Sequence, residues 1–282
     1  MKRLVVTADD FGLAPEVNEA VEEAHRHGVL SAASLMVGAP AVADAIARAR
    51  AMPNLRVGLH LVLVEGAPVT PKADIPGLVD DRGRLRTDLA AYGLAILARP
   101  KVRRQIRREI RAQFETFRAT GLALDHVNAH QHYHLHPAIT ADILDIGREY
   151  GMRALRVPHE PRALLDAVEP TSSSLVTRLA APWTALMRFR GRAAGVVIAD
   201  RVFGLAWSGA MTQARLAGLI ARLPPGGTEI YLHPATAEAF PGSAPGYRYR
   251  DELSALLSPF CRDAVRNSGA ALGGYSDFGG LD

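Results

Sequence analysis

Hydrophobic and polar positions alternate along this chain in a way that predicts strands and helices in regular succession. Lys2 to Ala8 is a short apolar run that breaks into Asp9-Asp10-Phe11-Gly12, which predicts a strand ending at a turn with both carboxylates at its carboxyl end. A helical pattern follows from Pro15 to His27, with proline near its first turn and Gly28 just past its end. Ser31 to Val37 reads as a second strand, Ala41 to Ala51 as an alanine-rich helix stopped by Pro53, and Leu55 to Leu63 as a third strand. Strand, helix, strand, helix, strand is the signature of parallel α/β architecture.

Residues 65–90 hold prolines, glycines and aspartates with little periodicity, which predicts a long loop suited to a lid. Helices over Lys101 to Thr120 and Pro137 to Tyr150 flank a strand-like Leu124 to His136, and Arg153 to Val157 is a further strand. Residues 160–195 are irregular, with an amphipathic, basic-sided helix over Leu175 to Phe189. A strand over Val202 to Trp207, a helix over Thr212 to Leu223, a clear strand over Thr228 to His233, a helix over Tyr249 to Ser268 and a strand near Ala271 to Tyr275 complete the pattern. Roughly six to eight strand and helix pairs predict an irregular (β/α) barrel, with 1–282 as one catalytic domain. Such barrels place their chemistry at the carboxyl ends of the strands, where Asp9, Asp10, His60, the 126–136 cluster and His233 all fall.

With 48% hydrophobic and 22% charged residues, the composition is that of an ordinary globular chain. The single cysteine, Cys261, makes no intramolecular disulfide, and a reducing, cytoplasmic compartment is expected. The amino-terminal apolar run is broken by aspartates too early for a signal-peptide core. No window approaches the roughly 20 apolar residues of a membrane span. The net charge of +4 is concentrated in Arg99 to Arg111 and Arg188 to Arg192. A solvated helix face is the first reading of the former, since Val102, Ile106 and Ile110 keep helical spacing and Glu109 and Glu115 interleave with the arginines. Contact with a membrane surface is the second reading, and nucleic acid is not an expected partner.

The chemistry is concentrated in Asp125-His126-Val127-Asn128-Ala129-His130-Gln131-His132-Tyr133-His134-Leu135-His136, which carries five of the ten histidines, all at even positions. On a strand of period two they project from one face. Neutral imidazole is the commonest transition-metal ligand, and three or four ligands suffice, leaving the others to support the ligands or bind substrate. Asp9 and Asp10 are expected to leave alternate sides of the strand, one to bind a cation and the other to face substrate and take a proton from water; an Asx-type turn or helix cap is the other reading. His60 interrupts an apolar strand and is either a ligand or a buried, hydrogen-bonded histidine. An Asp and two His leave open positions on a divalent ion, which suits hydrolysis of an amide or ester, and His233 is the candidate acid for a leaving amine. No Gly-x-Ser-x-Gly elbow supports a serine nucleophile.

Taken together, Thr7-Ala8-Asp9-Asp10-Phe11-Gly12, Gly58-Leu59-His60-Leu61, His126-Val127-Asn128-Ala129-His130-Gln131-His132 and Leu232-His233-Pro234 resemble the YdjC-like carbohydrate deacetylases. The fuller phrasing is most similar to the hopanoid biosynthesis-associated HpnK branch of that family. The resemblance implies an irregular (β/α) barrel of the polysaccharide-deacetylase type, with one divalent metal ion held by Asp10, His60 and His130. It implies Asp9 as general base and His233 as general acid; from the cluster itself, His126, Asn128, His132 and His134 are expected in substrate-binding or ligand-supporting places. The donor set suits zinc, magnesium, manganese or cobalt. The implied substrate is an N-acetylated sugar, in this branch an N-acetylglucosaminyl hopanoid lipid, met by a cytoplasmic enzyme at the inner face of the membrane; a homodimer follows by analogy with relatives. One position departs from the family pattern: many members carry Asp in a His-x-Asp-x-His motif where this chain has Asn128, which cannot act as an ionised acceptor. Rival readings are another metal-dependent hydrolase on the same scaffold, a phosphoesterase or cyclic amidohydrolase, and a non-catalytic metal- or lipid-binding protein.

Overall fold

The computed structural model describes residues 1–170 and 175–278, with the side chains of 175–181 left aside. The chain runs β1 (Lys2–Phe11), α1 (Pro15–His27), β2 (Ala32–Leu35), α2 (Val42–Arg50), β3 (Arg56–Leu61), α3 (Leu89–Ala98), α4 (Pro100–Ala119), β4 (Val127–Ala129) and α5 (Pro137–Glu149). It continues through α6 (Arg162–Val168), α7 (Leu175–Ala193), β5 (Arg201–Phe203), α8 (Gln213–Ala221), β6 (Gly226–Leu232), α9 (Tyr249–Leu257), α10 (Pro259–Ser268) and β7 (Ala270–Leu272). The sheet has the order β4-β3-β2-β1-β6-β5, every pairing parallel. β7 pairs with the first half of β1, and β2 with its second half. The edges β4 and β5 are joined through residues 154–159 by isolated bridges, Val127 to Leu155 and His159 to Val202. The result is the expected irregular parallel β/α barrel.

β1 shows why an apolar run reads as a central strand: both of its faces are covered. Leu4, Val6 and Ala8 join the main core under the helices, where Val21 and Ala24 of α1 pack. Val5 faces the barrel interior with Tyr231 and Tyr275, and Thr7 and Asp9 follow it on the same side. Gly12, at φ 97°, turns the chain out of β1, and its N–H is accepted by Asn18 Oδ1 of α1 at 2.8 Å. Asn18 Nδ2 donates in turn to Ala41 O and Asp44 Oδ2, so α1 fixes the turn that carries the two aspartates.

Elsewhere local chemistry redraws the expected boundaries. The single helix expected over Tyr249 to Ser268 is two, because Pro259 has no N–H to give and Ser258 Oγ caps Phe260 N at 3.1 Å. Leu89–Ala98, which lacks any charged residue and follows the loop directly, is helical, capped by the Asp88 side chain. Within residues 65–90 the chain is fastened to α4: buried Glu109 accepts from Val69 N and Thr70 N, and Gln105 accepts from Gly77 N. The irregular stretch 160–195 holds α6 and α7, and its residues 171–174 lie outside the described residues. The arginine-rich face of α4 is met by acids of α5, with Arg103 and Arg107 on Asp142, Arg107 on Asp145 and Arg111 on Glu149. Among the described residues no helix is long and apolar enough to cross a membrane.

Candidate metal and active site

A bulge in β1 corrects the expectation that Asp9 and Asp10 leave opposite sides of a strand. The register with β2 shifts between Ala8 and Phe11, and Asp10 sits at φ 63°. Both carboxylates therefore line one cavity of about 500 Å³ at the carboxyl ends of the strands, with His60, His130, His132 and His233. Among the described residues four non-glycine residues take positive φ, Asp10, Glu65, Gln131 and His132, and all four line this cavity. Such backbone costs roughly 1–3 kcal/mol at each position and persists where the surroundings enforce it, typically at functional sites.

The five-histidine strand is also corrected. Pairing ends at Ala129, and Gln131 and His132, at φ 54° and 49°, wind the chain into a short 3₁₀ helix over His130–Leu135. The left-handed pair breaks the period of two and scatters the imidazoles. His130 and His132 line the cavity. His134 is buried behind it and donates through Nε2 to the Arg156 carbonyl at 2.9 Å, and burial pushes its pKa down to about 3. His136 stands just before α5 and turns its ring to Gly93 O. His126 lies within the barrel: Nδ1 meets Asp125 Oδ2 and Nε2 meets Ser34 Oγ, each at 2.9 Å. This Ser-His-Asp chain is not a nucleophile, because Ser34 and His126 are 0% exposed.

Asp10, His60 and His130 come together with one ligand atom each inside 4.8 Å of one another. Asp10 Oδ1 stands 3.3 Å from His60 Nε2 and 3.3 Å from His130 Nδ1. That oxygen is buried without a hydrogen-bond partner. Burial raises the Asp10 carboxyl pKa, and the two imidazoles outweigh burial and hold it well below the usual range. The tautomer of His60 is fixed from behind. Asp9, ionised, only accepts, so the Asn128 amide turns Nδ2 to Asp9 Oδ1 (3.0 Å) and leaves Oδ1 to accept His60 Nδ1–H (2.7 Å). The Nε2 lone pair of His60 then faces Asp10. A charged oxygen lacking a partner and a nitrogen with its lone pair free fit a divalent cation, with open positions for water and substrate.

Asp9 is held at both oxygens by Arg156, Nη1 to Oδ2 at 2.5 Å and Nη2 to Oδ1 at 3.0 Å. Burial raises its pKa, but Arg156, with His60 adding to it, carries the carboxyl far below the usual range. Arg156, fully buried, also grips Glu229 of β6 through Nε (3.0 Å) and Nη2 (2.7 Å). Glu229 accepts further from Thr7 Oγ1 and Tyr275 OH. The guanidinium of Arg156 lies 4.5 Å from the Tyr231 ring centre, and Tyr231 OH meets His132 Nε2 at 2.8 Å. Across the cavity His233 is half-buried, with its Nδ1 atom buried and unpartnered and its ring against Tyr247 and Tyr231. Burial pushes its pKa below the ordinary histidine value, against the pull of Asp10 and Asp9. Its backbone N–H donates to Glu252, whose own carboxyl is pushed up to about 7 by burial.

Sequence reasoning missed Arg156, Glu229, Ser34, Tyr231 and Glu252. A signal existed for the first two: each is a charged residue inside an otherwise apolar strand pattern, where burial without pairing is prohibitive.

A parallel β/α barrel with an Asp-His-His trio at the carboxyl ends of its strands is thus the class of protein the geometry defines. The profile of the family described as YdjC-like protein matches residues 3–267, and the chain belongs to that family. Among curated relatives, the carbohydrate deacetylase of Brevibacillus brevis is 43% identical over 148 residues, 52% of this chain and 56% of that protein. The match therefore spans about half the length of that relative. The carbohydrate deacetylase of Geobacillus stearothermophilus is 29% identical over 277 residues, 97% of each chain. Among solved structures, an Enterococcus faecalis V583 protein provisionally named for cellobiose-phosphate cleavage shares the fold, with a TM-score of 0.76 at 24% identity over 98% of each chain.

Proposed function

We propose that the protein is a metal-dependent carbohydrate N-deacetylase, acting in the finer reading on an N-acetylglucosaminyl hopanoid lipid. The observation that carries this is the convergence of Asp10, His60 and His130 on one point of a cavity that Asp9 and His233 also line. The naming of the Brevibacillus and Geobacillus relatives as carbohydrate deacetylases supports the reaction class. A divalent cation bound by the trio would supply Lewis acidity toward an acetamide carbonyl and toward water.

The chain's own residues do the proton work. Arg156 and Asn128 keep Asp9 ionised and aimed, so Asp9 is the base that takes the proton of the attacking water as the new C–O bond forms. His233, once protonated, is a ready acid because burial lowers its pKa, and it gives its proton to the sugar nitrogen as the C–N bond breaks. The products are acetate and a free amine. A peripheral contact with the membrane, part of the same reading, draws support from Leu94 and Leu97 of α3, 67% and 61% exposed. The test offers N-acetylglucosaminyl hopanoid and short chitooligosaccharides side by side and measures acetate. Release from the lipid supports the finer reading, release from the oligosaccharides alone retains the class and removes the lipid, and release from neither overturns both.

A further inference from the structure

A second cavity, of about 470 Å³, opens between α7 and the chain at His159 and is walled by Ala185, Arg188, Phe189 and Arg192. Among the described residues it shares no lining residue with the metal-site cavity. Arg188 Nη1 is buried here without a hydrogen-bond partner. Arg188 as a whole is half-buried, and folded proteins rarely leave a buried nitrogen of this kind unanswered.

The nearby acids are already committed. Asp200 accepts from Arg192 Nη2 at 3.0 Å and from Gly227 N at 2.9 Å. Glu160 accepts the backbone N–H groups of Gly204, Leu205 and Ala206. Arg201, whose Nη1 is on the Pro225 carbonyl, adds its charge to the same region. The field is positive enough to act on its members: burial and then Arg192 lower the Arg188 pKa, against the pull of Asp200, and burial followed by Arg188, Arg201 and Arg192 lowers that of His159. Arg188 and Arg192 also stand four residues apart on one helix, an arrangement in which like charges repel unless an anion sits between them. Phe189, 70% exposed, offers an apolar surface beside the cations.

We propose that the pocket between α7 and His159 binds the phosphate group of an organic phosphate, with Arg188 supplying the donor fork, His159 and Arg192 flanking it, and Phe189 covering the organic part. A planar guanidinium with flanking donors matches a tetrahedral oxyanion better than it matches water. The same chemistry is carried by a soluble sugar phosphate and by a phospholipid headgroup. The proposal stands independently of the deacetylase reading.

The test uses the full chain as purified, with thermal unfolding in sodium phosphate or glycerol 3-phosphate against sodium chloride at matched ionic strength. Alongside, sedimentation with phosphatidylglycerol vesicles is compared with phosphatidylcholine vesicles. At about ten times the dissociation constant a soluble phosphate should raise the melting temperature by about 3 °C. Arg188→Gln should abolish the response while keeping acetate release and, in phosphate-free buffer, melting no lower than the parent. His159→Gln, on the opposite wall, should weaken the same response and serves if the first variant folds poorly. A response to soluble phosphates alone identifies that source, and Arg188-dependent sedimentation with phosphatidylglycerol identifies a headgroup. No response to either probe, or one that persists in both variants, overturns the proposal.

Discussion

Asn128 Oδ1 accepts a hydrogen bond from His60 Nδ1 at 2.7 Å, and the two residues are register partners across β3 and β4. Parallel pairing thus sets ligand and support side by side, and the same amide reaches Asp9 and Ser34 through Nδ2. An Asp at this position would keep the first of these contacts and lose the donor to the others.

Asn128→Leu should therefore weaken metal affinity about 10- to 100-fold, because the His60 tautomer is no longer fixed. Asn128→Asp should keep the affinity, since a carboxylate also accepts from His60. It places a negative charge beside Asp9 in exchange for a donor, so the Asp9 pKa rises and the acid limb of the rate profile moves to higher pH. Metal titration and a kcat/KM profile read the two effects separately; an unmoved acid limb in Asn128→Asp contradicts the link to Asp9.

Arg156→Met removes the partner of two buried carboxylates and should destabilise the fold by roughly 3–5 kcal/mol at neutral pH. The pH dependence contributed by Asp9 should change sign as well. In the parent, Asp9 has a folded pKa below its unfolded value, so its contribution is present above the usual carboxylate range and is lost as pH falls. Without Arg156, desolvation is the dominant influence, the folded pKa exceeds the unfolded one, and stability falls as pH rises through that interval. Urea unfolding from about pH 2.5 to about pH 8 measures it, and parallel curves for the two proteins would refute the link between Arg156 and Asp9.

Much of this was legible in sequence, and the divide has a physical origin. α1 matches its start and stop signals at both ends because Pro15 and Gly28 act locally. The four family motifs located the cavity, since strand ends and their residues are local features too. What was not legible depends on backbone dihedrals and distant partners. Nothing in the alternating histidines reveals that Gln131 and His132 adopt left-handed φ, and nothing near Arg156 names Asp9 or Glu229, both supplied by other strands. The basic run on α4 reads in sequence first as a solvated helix face and second as a membrane contact, while the acids that pair with it arrive on α5, some 35 to 39 residues later.

Gly58 is a second tight point of the site. A Cβ there would stand 2.4 Å from His126 Nε2, inside the distance any side chain tolerates. Gly58→Ala should cost about 1–3 kcal/mol in stability and push His126 off Ser34, weakening metal binding along the chain that ends at His60. Equal metal affinity in a folded Gly58→Ala variant would detach that chain from the site.

Glu252, pushed up to about 7 by burial, binds a proton more tightly folded than unfolded. Between the ordinary glutamate value and pH 7 it therefore subtracts stability as pH rises, by up to roughly 3 kcal/mol. Glu252→Gln removes this slope, so its stability relative to the parent should improve with pH over the same interval. Equal slopes in chemical unfolding would place the titration elsewhere.

The most direct test of the central claim is metal content and acetate release measured together on the parent, Asp9→Asn and His60→Ala. The account predicts one divalent ion and metal-dependent acetate in the parent, an equal metal content without turnover in Asp9→Asn, and loss of both in His60→Ala. Full activity in metal-stripped parent protein, or in His60→Ala, would contradict it.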